Sequence, residues 1–496
     1  MLKEYFKFKS AEYSYKAQRF IDAAGIEMSR RFEAAGFGRR LDKQDRRTRG
    51  PVIETLDSLA RLRGFSRDLT KNNPYARRAI SVRSSNTIGT GIKPAFRGKG
   101  AETAKKEWLK WAGSAKCDFY GNMNFYGLQK LGFRTMSESG DMLILRRWNE
   151  NSSVGFDLQL LEADFLDETL TRPTETGGWV MQGVQFDAEG RKEGYWIHMK
   201  HPNDVNSDSQ TSQFVPAKDM IHAFEVIRPG QVRGIPAGVA SFIRLKDFDE
   251  FQDAELYKQK VASLFVMVIK QGSAMPGMAS ATIGKDYNPI DKMEPGMIET
   301  LPAGYEANFS QPPNVSGSNE YNSTILHSIA AGYDIPYEDL TGDYSKVTFS
   351  SARMSATRFA DTIEGWQDNI MISMVCDRVH EWFIEGLAFK KGIFIDPVTS
   401  WTTPRRALVD PLKEVNAMVK LIDSRLVSRQ ESIRQLGGDP DDVNAEIDED
   451  LKLDKKLSDK YEVDVGSFVR DVEGAEPVSG AKPKAPVKKT TPAKTK

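Results

Sequence analysis

The chain has 496 residues, 40% apolar and 28% charged, with 69 basic and 69 acidic side chains. That length allows roughly two to four hydrophobic cores in an ordinary globular composition, and a net charge of zero excludes tight nucleic-acid binding by massed phosphate neutralisation. Cys117 and Cys376 are too few for a disulfide framework or a structural zinc site, so two buried reduced thiols and an intracellular origin are expected.

Residues 1–50 read as an arm, partly flexible and solvated, that ends in the basic run GRRLDKQDRRTRGP. Its start, MLKEYFKFKSAEYSYK, holds no apolar stretch long enough for a signal peptide. Leu56, Leu59, Leu62 and Phe65 share a helical face, and Asn72-Asn73-Pro74 breaks that helix. A second helix is expected from Pro74 to Asn86, then a turn at Gly89-Thr90-Gly91 into a strand. Helices carrying Trp108 and Trp111 follow, then strands at Asp141–Trp148 and Phe156–Asp164. A hairpin spans Gly183–Met199 and turns at Ala188-Glu189-Gly190. Residues 50–235 therefore form an α+β block.

Beyond Pro236 the spacing of Phe248, Phe251, Ala254, Val261, Leu264 and Val268 predicts one long helix over Ser241–Lys270. A Gly- and Pro-rich insert with short strand signals comes next, then a helix from Glu320 to Gly332. The polar stretch GDYSKVTFSS leads into another helix, from Ser351 towards Phe389. Two more helices lie in DPLKEVNAMVKLIDSRLVSRQESIRQLGG, and a basic Pro/Lys/Thr/Ala tail is expected to be disordered. The longest apolar run, Val261–Ile269, is too short to cross a bilayer, so no membrane association is expected.

No catalytic motif survives inspection. Six residues separate Gly277 from Gly284-Lys285 where a phosphate loop has four, and Asp286 stands where a hydroxyl should hold magnesium. Gly89-Thr90-Gly91 is half a dinucleotide fingerprint, and Lys93-Pro94 blocks the helix that should open there. His198, His201, His222, His327 and His380 include no paired metal spacing, and no serine sits in a nucleophile elbow. The expectation is a protein without catalysis, cofactor or metal. A multidomain enzyme with a helical insertion and a laterally associating capsid or scaffold protein are the alternatives weighed against it.

The stretch VPAKDMIHAFEVIRPGQVRGIPAGVASFIRLKDFDEFQDAEL resembles the lambda-type portal proteins of tailed bacteriophages. It does so through Ile221-His222, Arg228-Pro229-Gly230-Gln231, Arg233-Gly234-Ile235-Pro236 and Asp253-Ala254-Glu255-Leu256. The resemblance runs upstream through NNPYARRAI, NTIGTGIKP and ESGDMLILRRW. Downstream it continues through MEPGMIETLPAGYEANFSQPP and LHSIAAGYDIPYEDLTGDYSKVTFSSARM, covering roughly residues 25–450. Thr348-Phe349 departs from the Asn-Tyr that the family often has before Ser-Ser-Ala-Arg.

That resemblance implies a portal fold assembling as a ring of twelve subunits at one capsid vertex, put together in the host bacterial cytoplasm. The ring is the channel for double-stranded DNA, bound without sequence preference, on entering and leaving the capsid. It implies a wing over 51–236, a first stem helix over 237–270, a β-containing clip over 271–318 and a second stem helix over 319–341. A tunnel loop over 342–350 follows, then the long wing helix and its sequel over 351–404, crown helices over 405–472 and the tail over 473–496. Asp343, Tyr344, Ser345, Lys346, Val347, Thr348, Phe349 and Ser350 would face the DNA, with Arg353 and Arg358 nearby. The implied partners are the terminase large subunit, head-completion or adaptor proteins, and the major capsid and scaffold proteins, with a role in initiating capsid assembly.

Overall fold

The computed structural model describes residues 50–56, 58–204, 211–263, 267–271, 305–309, 318–404 and 410–461. The expected arm, most of the clip, the near-miss phosphate loop and the basic tail lie outside those residues. Residues up to Glu414 form one compact unit and those from Val415 another.

The first unit opens with helices α1 (Pro51–Thr55), α2 (Leu59–Asn72) and α3 (Pro74–Ile88). The expected break between the last two is an N-cap: Asn73 Oδ1 accepts from the backbone N–H of Tyr75 and Ala76 at 2.9 and 3.0 Å. Pro74 then occupies the position that needs no donor. Strand β1 (Lys93–Arg97), α4 (Ala101–Ala112) and α5 (Phe125–Ser139) lead to β2 (Asp141–Trp148) and β3 (Phe156–Leu161). A meander follows: β4 (Arg172–Pro173), β5 (Trp179–Met181), β6 (Val184–Phe186), β7 (Lys192–Ile197) and β8 (Gln213–Pro216), then β9 (Met220–Phe224).

Strand β2 is the hinge of the architecture. It lies between β3 and β9 in an antiparallel sheet of order β3-β2-β9, while β4 to β8 form a five-stranded sheet in chain order. Met142 and Ile144 enter the helix-lined core, and Leu143 and Leu145 enter the core shared with the meander. Both faces are covered, which is why MLIL is a continuous apolar run and does not alternate. The helix-lined core is aromatic: Trp108 packs edge-on against Phe125 at 5.5 Å and Phe383 at 5.0 Å between centroids. Both thiols are buried and unpaired, and burial pushes Cys117 up to about 12, so it is an inert core group.

Helix α6 covers Phe242–Ser263, and Met267–Gln271 is strand β10, antiparallel to β11 (Tyr305–Phe309). The single helix expected over Ser241–Lys270 is corrected here. The β-branched run after Phe265 favours a strand as soon as a partner strand supplies the ladder. The expected second stem helix over 319–341 is also two pieces, α7 (Ser318–Gly332) and α8 (Tyr337–Thr341). Gly332, Asp334 at φ +56° and Pro336 end the first before the second starts.

The longest helical run starts two residues before the expected Ser351. It consists of α9 (Phe349–Trp366), a π-helical segment (Gln367–Cys376) and α10 (Asp377–Lys391), before β12 (Val398–Thr402) pairs with β1. The wide turn is anchored where Gln367 Nε2 donates to the Thr87 carbonyl at 2.7 Å. Helix α11 (Pro411–Asp423) crosses the boundary of the units. The second unit holds α12 (Arg429–Gln435), capped by Ser428, and α13 (Pro440–Tyr461). Leu426, Leu451 and Leu453 of that unit are exposed. Among the described residues no helix is long and apolar enough to cross a membrane.

Candidate functional site

Helix α8 ends on Gly342, whose φ of +74° lets its N–H reach back to the Glu338 carbonyl at 2.7 Å. The loop beyond is organised by its own polar groups. Asp343 Oδ1 accepts from the Ser345 N–H at 2.9 Å, and Val347 N–H donates to the Tyr344 carbonyl at 3.2 Å. The hydroxyl and N–H of Ser345 hold the Asp343 carboxyl below the usual carboxylate range. Thr348 closes the loop as the N-cap of α9: Ser351 N–H donates to Thr348 Oγ1 at 3.3 Å, and Thr348 N–H donates to Ser351 Oγ at 3.0 Å. This reciprocal pair satisfies two donors that a helix start would otherwise leave open.

The structure therefore divides the predicted site residues. Asp343, Tyr344, Ser345, Lys346, Val347 and Thr348 form the loop, whereas Phe349 and Ser350 belong to the first turn of α9. Their placement in a loop over 342–350 is corrected by the capping geometry. Lys346, Arg353 and Arg358 are all exposed, and Arg353 lies within electrostatic reach of Asp410. Helix α9 buries no residue before Phe359. Tyr344, Phe349 and Met354 are 58%, 56% and 62% exposed, large apolar groups that the described residues leave uncovered.

What holds this projection in place is a buried cation that sequence reading missed. Arg83 on α3 is 1% exposed. It donates through Nη1 to the Tyr333 carbonyl at 2.8 Å and through Nη2 to Glu225 Oε2 at 3.1 Å. Its guanidinium lies 3.9 Å from the centroid of the Trp366 ring, and Trp366 Nε1 donates to Glu225 Oε1 at 3.3 Å. Burial pulls Arg83 down from its ordinary value while Glu225 opposes the shift; arginine stays charged in proteins. One residue thus ties the end of α7, before the loop, to the end of α9, after it. Arg83 stands in ISVRSS, just past NNPYARRAI, and no local pattern there says that its side chain turns inward.

A second buried node explains two stretches of the resemblance. ESGDM and RGIP meet at Asp141, which is fully buried. It accepts from Arg233 Nε at 2.9 Å, from Gly234 N–H at 2.6 Å and from His222 Nε2 at 2.9 Å. Arg233 also donates to the Gln182 and Ala163 carbonyls at 3.2 and 3.0 Å, joining both sheets. Burial pushes the Asp141 carboxyl up, but Arg233, His222 and the Gly234 N–H together hold it well below the usual range. Burial lowers His222 despite its acidic neighbour, so the imidazole is neutral and gives its Nε2 proton to the carboxylate. A Cβ on Gly234 would stand 2.0 Å from the Gly140 carbonyl oxygen, so only glycine allows the two stretches to cross.

One cluster of metal-ligating types forms among the described residues. Ligand atoms of Glu162, Asp164 and His201 lie within 4.8 Å of one another. Arg67 already reaches Glu162 at 2.6 Å, and Arg63 reaches Asp164 at 3.3 Å. The carboxylates are neutralised by guanidinium groups, the arrangement of an ion-pair cluster.

The fold and this geometry define a class: an assembly subunit whose rigid, two-core body holds one polar loop and a bare helical start away from itself. Residues 37–367, more than half of the chain, match the family described as Phage portal protein, lambda family, and the chain belongs to that family. It is a portal protein of a tailed phage, and the family is a structural assembly component. The chain is 28% identical over 424 residues to a probable portal protein of Halomonas phage phiHAP-1, covering 80% of this chain and 81% of that one. It is 22% identical over 475 residues to portal protein B of Escherichia phage lambda, covering 83% and 87%. A chain in the virion of a native gene transfer agent particle is similar with TM-score 0.46 and 12% identity, covering 76% of this chain and 94% of that one.

Proposed function

We propose that copies of this chain close into a ring at one vertex of the capsid, and that double-stranded DNA passes through its channel during packaging and ejection. Twelve is the proposed number, taken from the family. The loop over 343–348 and the exposed start of α9 face the channel. The observation that carries this reading is the exposed projection itself, flanked by the Arg83 contacts to Tyr333 and Trp366 and covered by none of the described residues.

Its chemistry suits a duplex that must slide. Hydroxyls on Ser345, Ser350 and Ser355 offer exchangeable contacts to phosphate, and Lys346, Arg353 and Arg358 supply a few cations per subunit. Contacts to phosphate are indifferent to sequence, as a conduit requires. Each added counterion-releasing contact raises affinity, so a denser cluster would stall the strand. On this reading the β10–β11 ladder belongs to the clip, which docks the terminase large subunit and later the head-completion or adaptor proteins. The helices after Asp410 form the crown inside the capsid, major capsid and scaffold proteins meet the wing, and the chain acts without catalysis. Assembly takes place in the host cytoplasm, where the ring starts capsid growth.

Deleting residues 343–347 keeps the Thr348 cap. Annuli should still form under negative stain, while DNA packaging or retention fails. Normal packaging would end the loop assignment, and a chain that forms no annuli even with its assembly partners would end the whole reading.

A further inference from the structure

A cavity of about 590 Å³ opens beside the Arg83 node, between the start of α1, the segment 225–243 and the end of α7. Pro51, Thr55, Ile227, Ile235, Ile243 and Asp334 are among its walls. Its size falls in the range of roughly 300–1,000 Å³ typical of specific clefts. Ile235 is partly buried in the wall, while Ile227 is 66% exposed and its neighbour Val226 is 55% exposed. An apolar wall with apolar side chains left uncovered beside it is the signature of a surface that something else covers.

Where the chain enters the structure identifies the occupant. Residues 1–49 join the described fold at Gly50, and the next residue, Pro51, is itself a wall of the cavity. The arm therefore begins at this site whatever course it takes. Its composition fits. Phe32, Phe37 and Leu41 provide apolar bulk, and Arg46, Arg47 and Arg49 stand nearer to Pro51 in the sequence. Asp334, its side chain 65% exposed and 3.7 Å from Arg83, offers a carboxylate to a guanidinium of the arm. The family match starts at residue 37, so most of the arm lies outside it.

We infer that the N-terminal arm folds back in its own chain and seats Phe32, Phe37 and Leu41 in this cavity. From Phe37 to Pro51 is 14 residues, which can span up to about 50 Å, so reach imposes no limit. Tethering gives the arm an effective concentration on the order of millimolar, enough for a few apolar side chains to hold it. Because Asp334 and Arg83 line the cavity, a seated arm also braces the node from which the loop hangs.

The test places a photoreactive benzoylphenylalanine at Ile227 in the full chain and maps its adducts by mass spectrometry. Adducts should fall in residues 20–49 and migrate as monomer on a denaturing gel. A second variant, Phe32→Asp with Phe37→Asp, should cut the adduct yield about fivefold or more, and should speed amide exchange across residues 225–240 by about tenfold. Its far-UV dichroism should stay unchanged, since the substitutions lie before the α+β block. Adducts confined to other segments, or exchange indifferent to the double substitution, overturn the inference. Adducts to the arm of a second copy, seen as a dimer band, overturn the same-chain seat. The measurement uses isolated protein and no DNA, so its failure leaves the channel reading untouched.

Discussion

The two places where this chain concentrates charge differ in every physical respect. At Asp141, Arg233 and His222 the charges are wholly enclosed, and each polar contact joins segments far apart in the chain. Between Asp343 and Arg358 the groups are exposed, bonds are local, and the nearest packed residue is Phe359. In the first place the protein surrounds the charge, so removing a partner strands its mate in a low dielectric. In the second, water surrounds it, and a substitution costs the isolated chain little. The buried node should therefore govern folding, and the exposed stretch should matter only in the assembly.

Replacing Arg233 with Met is the most severe way to test that contrast. It leaves Asp141 and the Gln182 and Ala163 carbonyls without their donor, and stability should fall by about 3–5 kcal/mol in urea unfolding. A loss below about 1 kcal/mol would contradict the assigned role. Glycine substitutions sharpen the comparison. Gly234→Ala drives a methyl into the Gly140 carbonyl and should cost at least about 1–3 kcal/mol. Gly342→Ala meets nothing within 4 Å and should cost about 1 kcal/mol, from its positive φ alone.

Acidification probes the same node with a definite sign. His222 is held below its ordinary value in the fold, so below about 6.5 the unfolded chain takes up a proton that the native chain refuses. Asp141 is held low as well, so its stabilisation is complete above the ordinary carboxylate value near 3.8 and is lost as pH falls through its depressed native value. Both groups make stability fall with pH. Equilibrium unfolding should lose up to about 1.4 kcal/mol per unit for each proton taken up, beginning near 6.5. His222→Gln should flatten the part of the curve between about 6.5 and 4.5.

The smallest effects belong to the exposed stretch. Thr348→Ala removes the N-cap and should cost about 1 kcal/mol, read as faster amide exchange in the first turn of α9 and little elsewhere. Lys346→Ala should stay within about 0.5 kcal/mol of the parent in unfolding while altering DNA retention in assembled particles. Equal destabilisation by Lys346→Ala and Arg233→Met would erase the distinction between the two regions.

Local signals were legible wherever the chain answers to itself. Strand β2, the Asn73 break and the Asp187–Arg191 turn lie where periodicity and turn chemistry put them. Misreadings came where distant partners decide. Val268 fits a helical spacing, but the pairing of β10 with β11 makes it a strand. The second expected stem helix bends at Asp334, where Arg83 takes hold of the preceding carbonyl. Phe349 and Ser350 look like loop until the Thr348–Ser351 pair places the helix start before them.

Taken alone, the sequence determined the α+β class, the run of helices after it, the family pattern and the polar character of the loop. Those depend on side-chain period, turn residues and composition, all of which act over a few neighbours. Only the tertiary structure decided which arginines are buried, why ESGD and RGIP must be present together, and that one cation ties Tyr333 to Trp366 across the loop segment. These contacts join residues from about 80 to 250 positions apart, and their strength comes from exclusion of water, which no local stretch of sequence can establish.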